Sequence, residues 1–285
     1  MKYLTICFLL ITSFVLKAQS SQKKDWKDMH LYDKVKSVRS IPYQVKIEKG
    51  KPIAKGDIEN DDDLLVFRMS NIYNSLKQFS INGNLQTLLL FFKDGSIDIR
   101  SEYYYDPEGK CIVNRRNSEK TMFVYNPQGY LIKEVTYTPG GFLKSHTNLE
   151  VNDKGEVLKE TSFISNELDH TTSFKYNQQS LPVERIDFDK KGELNQKTFF
   201  KYNSKGQLTQ LRQYNNLNKL VKIAKKSYNN QGDCIVSELH YKENKKKEIE
   251  SYEYSYDQHH NWISMTIFLD GKPTQIIERT FEYYE

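Results

Sequence analysis

A short phrase recurs along this chain: an aromatic residue, Asn or Asp, two polar residues, Gly, any residue, then an aliphatic. It reads YDPEGKC at Tyr105, YNPQGYL at Tyr125, YTPGGFL at Tyr137 and VNDKGEV at Val151, then FDKKGEL at Phe188, YNSKGQL at Tyr202 and YNNQGDC at Tyr228. Degenerate copies begin at Phe79, Phe91, Phe163, Tyr176 and Tyr214, and weaker ones at Tyr241, Tyr256, Phe268 and Phe281. Most anchors lie 12 to 14 residues apart, and from Tyr125 onward alternate anchors are 25 to 28 apart. A fixed period of this size means one supersecondary unit stacked on the next.

The chemistry of each copy is that of a tight reversal. Asn or Asp caps the turn, and Pro107, Pro127 and Pro139 preset φ for its first corner. Gly109, Gly129, Gly141, Gly155, Gly192, Gly206 and Gly232 stand where a left-handed residue closes a bulged hairpin. Reversal at this interval predicts an antiparallel β-hairpin meander with strands of about 8 to 10 residues and a two-strand unit of about 26 residues. Parity places Leu131, Val135 and Tyr137 on one face and Ile132, Glu134 and Thr136 on the other. Likewise Val157, Thr161 and Phe163 oppose Glu156, Glu160 and Ser162. Seventeen or so strands with one apolar face cannot stay flat in water. The expected fold is therefore all-β, a curled or spiral sheet amounting to a partial barrel.

The motif resembles the YD repeat of bacterial RHS-like proteins over residues 79–285. The segment from Tyr256 through FLDGKPTQIIERTFEYYE resembles the terminal unit of small secreted YD-repeat proteins, and Val35 to Arg39 their opening strand. The resemblance implies a β-sheet repeat domain and no particular chemistry. The chain departs from it at Glu167, Ser180, Asn218 and His260, where Gly is expected, and in the 20 residues between Tyr105 and Tyr125.

Residues 1–18 combine Lys2, an apolar run from Leu4 to Leu16 and a small residue before a polar stretch. That describes a secretory signal peptide cut between Ala18 and Gln19, leaving an N-terminal region (19–78) and the repeat domain (79–285). Export to the periplasm, the outer membrane or the exterior is expected, with no transmembrane span after cleavage. The charge of the cut chain falls from +5 to +3, which argues against nucleic acid as a partner. Lys242 and Lys245 to Lys247 read as a solvated loop tip.

Candidate sites are few. Cys111 and Cys234 occupy the aliphatic slot in matching contexts, GKCIV and GDCIV, and read as buried free thiols before a disulfide. His259 and His260 lack a third ligand at metal spacing, and Asp61, Asp62 and Asp63 lack the alternate spacing of a calcium loop, so no metal and no cofactor is expected. No phosphate loop, nucleophile elbow or zinc-protease motif occurs, so no catalytic residue is assigned. Fifteen of the sixteen anchors are aromatic, so 15 of the 37 Phe, Tyr and Trp are repeat anchors, and only aromatics outside the register, such as Trp26, Tyr130 and Trp262, are free to suggest a ligand. The expected function is non-catalytic binding of a protein or glycan through the sheet or its rims. Alternatives are an immunity or accessory protein against a secreted toxin, and a polysaccharide hydrolase with a hidden carboxylate pair.

Overall fold

Nineteen strands follow from the turns. The computed structural model describes residues 25–48, 51–58 and 74–285. The leader with its Ala18 cleavage and the acidic run at Asp61 lie outside the described residues. The leading hairpin is β1 (Val35–Glu48) and β2 (Lys51–Ile58). The meander then runs β3 (Ser75–Phe79), β4 (Leu85–Phe91), β5 (Ile97–Tyr105), β6 (Cys111–Arg116), β7 (Glu119–Tyr125), β8 (Leu131–Tyr137), β9 (Leu143–Val151), β10 (Val157–Ile164) and β11 (Glu167–Tyr176). It continues as β12 (Pro182–Asp189), β13 (Leu194–Tyr202), β14 (Leu208–Asn215), β15 (Leu220–Tyr228), β16 (Cys234–Tyr241), β17 (Lys247–Tyr256), β18 (Trp262–Leu269) and β19 (Lys272–Tyr283).

Strands β3 to β19 each pair antiparallel with the next. β1 then closes the ring, pairing with β19 from Val35 to Gln44 and with β3 from Ser37 to Ser40. β2 pairs with the far half of β1, in line with β3. The molecule is thus a closed barrel of 18 staves, β1 plus β3 to β19. The expected partial barrel is corrected to full closure. The reason is β1, a strand outside the repeat whose two edges are both paired. At about 4.8 Å per strand and a tilt near 40°, a circular ring of this kind would be roughly 35 Å across between backbones.

The barrel has two unlike rims. At the near rim, where Tyr284 N–H donates to the Lys34 carbonyl (2.8 Å), every turn has five residues: 80–84, 106–110, 126–130, 152–156, 177–181, 203–207, 229–233 and 257–261. In each, the first residue's N–H donates to the fifth carbonyl and the fourth N–H returns to the first. The seven glycines singled out from the sequence have φ between +77° and +96°. Where Gly is missing, Ser180 (φ 57°), Asn218 (54°) and His260 (67°) adopt the same left-handed backbone. Glu167 is different: the chain reverses one step earlier through Ser165 and Asn166, in a two-residue turn. The 20-residue gap holds the short pair β6 and β7, joined by Asn117 and Ser118.

A bulge accompanies nearly every turn and reverses the parity read from the sequence. Tyr125 pairs with Leu131, but Val124 pairs with Lys133, so Ile132 is the extra residue. Leu131 therefore joins the buried face, while Val135 and Tyr137 lie on the opposite face. Glu134 and Thr136 share the buried side, as do Glu160 and Ser162 farther round. This corrects the expected division of faces: counting by two through a bulge is off by one.

In a closed barrel the less accessible face is the inner one. Ser101, Thr172, Asp187, Thr198, Lys222 and Gln275 share that face through the ladder and are all buried. Facing outward in the middle of the strands are Glu102, Lys133, Lys175, Lys201, Arg212, Lys225, Glu238 and Glu253. A lipid-facing wall needs an apolar band about 25 Å tall, and each Lys or Arg at its centre costs about 2–4 kcal/mol. In a lipid-facing wall Arg212 and Lys225 would each carry a cost of that kind. No helix among the described residues is long and apolar enough to cross a membrane.

Candidate functional site

The inner wall is built from hydroxyls, amides and carboxylates in rows across the strands. Thr121 and Thr136 share a hydrogen bond at 2.9 Å, Thr147 and Ser162 one at 3.0 Å. Thr172 Oγ1 donates to Asp187 Oδ1 (2.8 Å), and Arg185 Nε donates to the same oxygen (2.8 Å). Gln196 Nε2 donates to Thr198 Oγ1 (3.1 Å) and its Oε1 accepts from Gln213. Glu160 faces Thr172 in register, and burial pushes its carboxyl upward against the opposing pull of Arg185. Burial holds the Lys222 amine down to about 8. Glu160 and Asp187 are the carboxylate pair that the sequence did not reveal, two strand spacings apart on one face. Asp187 already accepts two donors, so the pair serves an internal network that fixes the wall.

Toward the near rim this face turns apolar. Phe79, Leu85, Tyr103, Cys111, Phe123 and Leu131 form one buried cluster, and Cys234, Tyr252, Met265, Ile267 and Ile277 another. Tyrosines stitch the collar together by donating to a carbonyl on the neighbouring strand. Tyr105 OH reaches Leu85 O (2.6 Å), Tyr125 Cys111 O (2.7 Å), Tyr176 Val157 O (2.8 Å) and Tyr202 Pro182 O (2.7 Å). Tyr228 donates to Leu208 O (2.7 Å) and Tyr254 to Cys234 O (2.8 Å). Both cysteines are free and buried, ten staves apart, with Sγ near the Val113 and Val236 carbonyls at 3.5 and 3.4 Å.

The residues outside the repeat register turn out to be packing groups. Trp26 donates through Nε1 to Val35 O (2.8 Å) and covers Gly83, where a Cβ would come within 2.8 Å of the indole. Tyr130 lies over Gly155, which leaves 2.5 Å for a Cβ, and donates to Asp153 O. Trp262 carries the Arg279 guanidinium 3.3 Å from its ring centroid. All three are engaged in contacts within the chain. His259 stacks on Tyr283 (4.0 Å) and bonds Asp33 through Nδ1 (2.7 Å), while His260 supplies only its left-handed backbone to the turn.

The outer wall holds what the sequence reading missed. A shallow depression of about 360 Å³ on β13 and β14 is lined by Phe199, Lys201, Gln210, Arg212 and Tyr214, with Val183 and Phe200 at its edge. The ladder sets these side chains in rows: Lys201, Gln210 and Lys225 in one, Phe199, Arg212 and Ile223 in the next, Lys197 and Tyr214 in the third. Phe199 meets Tyr214 edge-on at 5.6 Å. Glu184 on one flank is held by Lys175 (3.0 Å), and Glu238 on the other by His240 (3.0 Å) and Lys247 (3.4 Å). Among the described residues no ion pair involves Lys197, Lys201 or Arg212. Gln210 Oε1 is shut from water and has no hydrogen-bond partner. The signal was present in the sequence as charge: residues 190–226 hold ten Lys or Arg and one Glu, a local +9 that leaves −4 for the rest of the chain.

No protein-family model matches the sequence, and no curated protein matches it. Among solved structures, a porin-like protein from Bacteroides uniformis is 11% identical, with 87% of this chain and 96% of that one covered and a TM-score of 0.45. A porin-like protein from Bacteroides vulgatus is 12% identical over 64% of this chain and 94% of that one, TM-score 0.33. A chain of the Photorhabdus luminescens Tc holotoxin pore is 16% identical over 68% of this chain and 14% of that one, TM-score 0.23. At these scores the likenesses carry no functional argument.

Proposed function

We propose that this is an exported, non-catalytic YD-repeat protein of the cell envelope that binds through its outer wall, and that its ligand is an acidic glycan. The observation that carries this reading is the depression around Arg212. It combines cations without internal partners, two aromatic rings and an orphaned amide oxygen. A buried acceptor left unmade costs about 1–3 kcal/mol, a cost that a sugar hydroxyl arriving in the depression would remove. An ionised carboxylate alone could satisfy the cations but has no proton for Gln210. On the inner wall Thr172, Arg185, Asp187, Gln196 and Gln213 are engaged with one another. The immunity and hydrolase alternatives gain no specific support from the described residues.

Calorimetric titration with polygalacturonate, neutral dextran and a DNA duplex tests the proposal. Binding is expected to polygalacturonate alone. The double variant Lys201→Glu/Arg212→Glu should weaken it at least about tenfold, and Gln210→Leu should weaken it without lowering the melting temperature. Equal binding to dextran, or undiminished binding by the double variant, would refute the assignment.

A further inference from the structure

The two rims differ in what their turns present to the outside. On the near-rim turns Ile81 is the exposed large apolar side chain, and Tyr104, Ile112, Val124, Leu158 and Ile263 are exposed on the strand ends beside them. The far-rim turns are 92–96, 117–118, 138–142, 165–166, 190–193, 216–219, 242–246 and 270–271. Phe142 (76% exposed) and Leu217 (68%) stand on two of these turns, and Phe92 opens a third. Ile164 and Leu168 flank the turn between β10 and β11, and Ile97 follows the one between β4 and β5. On the β1–β2 hairpin, which extends past this rim, Ile47 is also exposed.

Charge follows the same polarity. Summed over the residues of these turns, the far rim carries +3 and the near rim −3. Lys93 stands next to Phe92, Lys219 two residues after Leu217, and Lys144, paired with Glu119, two after Phe142, while Asp98 follows Ile97 and Glu167 and Asp169 flank Leu168. Just inside this rim, bulge parity turns six anchors outward, namely Phe91, Tyr137, Phe163, Phe188, Tyr214 and Phe268, while Tyr241, opposite Lys222, faces inward. The result is a row of outward aromatics near the far rim, against Tyr104 at the near one.

We infer that the far rim docks end-on against an anionic lipid surface, with the wall remaining in water. The spacing selects this partner. Between β4/β5, β8/β9, β10/β11 and β14/β15 the apolar tips are roughly 10–20 Å apart along the ring at about 4.8 Å per strand. No single protein pocket receives side chains so dispersed, whereas a fluid plane receives all of them at once. Isolated Phe and Leu tips enter the acyl boundary, neighbouring lysines meet anionic headgroups, and the aromatic band lies at headgroup level, where such rings are favoured. The net −3 of the opposite rim orients the barrel before contact.

Sedimentation of the purified protein with vesicles of phosphatidylcholine, with and without phosphatidylglycerol, tests this inference. The protein should pellet with the phosphatidylglycerol vesicles and lose most of that binding in about 0.5 M salt. Phe142→Ser/Leu217→Ser should weaken partitioning at least about tenfold, with an unchanged circular dichroism spectrum and melting temperature. Ile81→Ser on the near rim should leave it unchanged. Failure to pellet with either vesicle, or equal loss from the Ile81 variant, would overturn the inference. Binding of polygalacturonate in solution is a separate readout that neither outcome alters.

Discussion

Gly155 and Gly192 show how much one residue contributes at a turn. Both have φ near +78°, which costs an L residue about 1–2 kcal/mol. A Cβ at Gly192 meets nothing within 4 Å, whereas at Gly155 it would strike the Tyr130 ring at 2.5 Å. Gly192→Ala should therefore lower stability by about 1 kcal/mol, and Gly155→Ala by clearly more. Adding Tyr130→Ala to the latter should recover the excess. Urea melts of the three variants decide the matter, and equal losses at the two glycines would show that the ring yields freely. The turns themselves were legible, since Asn, Pro and Gly each state a backbone requirement. Tyr130 was not, because packing over a glycine 25 residues away leaves no local trace in sequence.

At the scale of the strand, the unit of construction is an anchor tyrosine bonded to the carbonyl of the strand beside it. Tyr202→Phe should remove one such bond at a cost of about 1 kcal/mol. The ladder also predicts alkaline sensitivity. Burial pushes the phenols of Tyr105, Tyr176, Tyr202, Tyr228 and Tyr254 upward, and that of Tyr256 up to about 12. Their contribution is complete below about pH 10, the unfolded value, and is lost as pH rises through the folded values, because the unfolded chain sheds its protons first. Since several rings are partly exposed, the combined fall between pH 10 and 11 should be on the order of 1–2 kcal/mol. A flat urea midpoint over that interval would contradict the ladder. The sequence foretold that anchors are aromatic, but not that near-rim anchors point in and far-rim anchors, Tyr241 excepted, point out. A bulge adds one residue to a period of two, and only the pairing register reveals which way the count has turned.

For the molecule as a whole, the decisive strand is one the repeat does not contain. β1 seals two edges at once, β19 and β3, and its removal would leave both unpaired. A chain beginning at Lys51 should therefore associate through those edges. Size-exclusion chromatography should show aggregate or oligomer, and a monodisperse monomer with the parent circular dichroism spectrum would argue that closure is dispensable. Closure was hidden from the sequence because β1 lies outside the repeat, and the likeness of Val35 to Arg39 to an opening strand does not say that both its edges are paired. The basic sector on β13 to β15 was legible only as a charge excess: from Lys197 to Lys225 its cations stand three to seven residues apart, and only the ladder gathers them.

The ring of antiparallel staves also limits how such a protein can change in size. Going round once must return the strand direction to its starting sense, so the stave count has to be even. One 26-residue repeat unit brings two staves and two turns, so gene duplication or loss moves the barrel from 18 to 20 or to 16 without disturbing the seam at β1. A single-strand insertion would force one parallel pair and break the ladder. Barrels of different girth are thus one recombination event apart, and the strand that fastens them can stay the same.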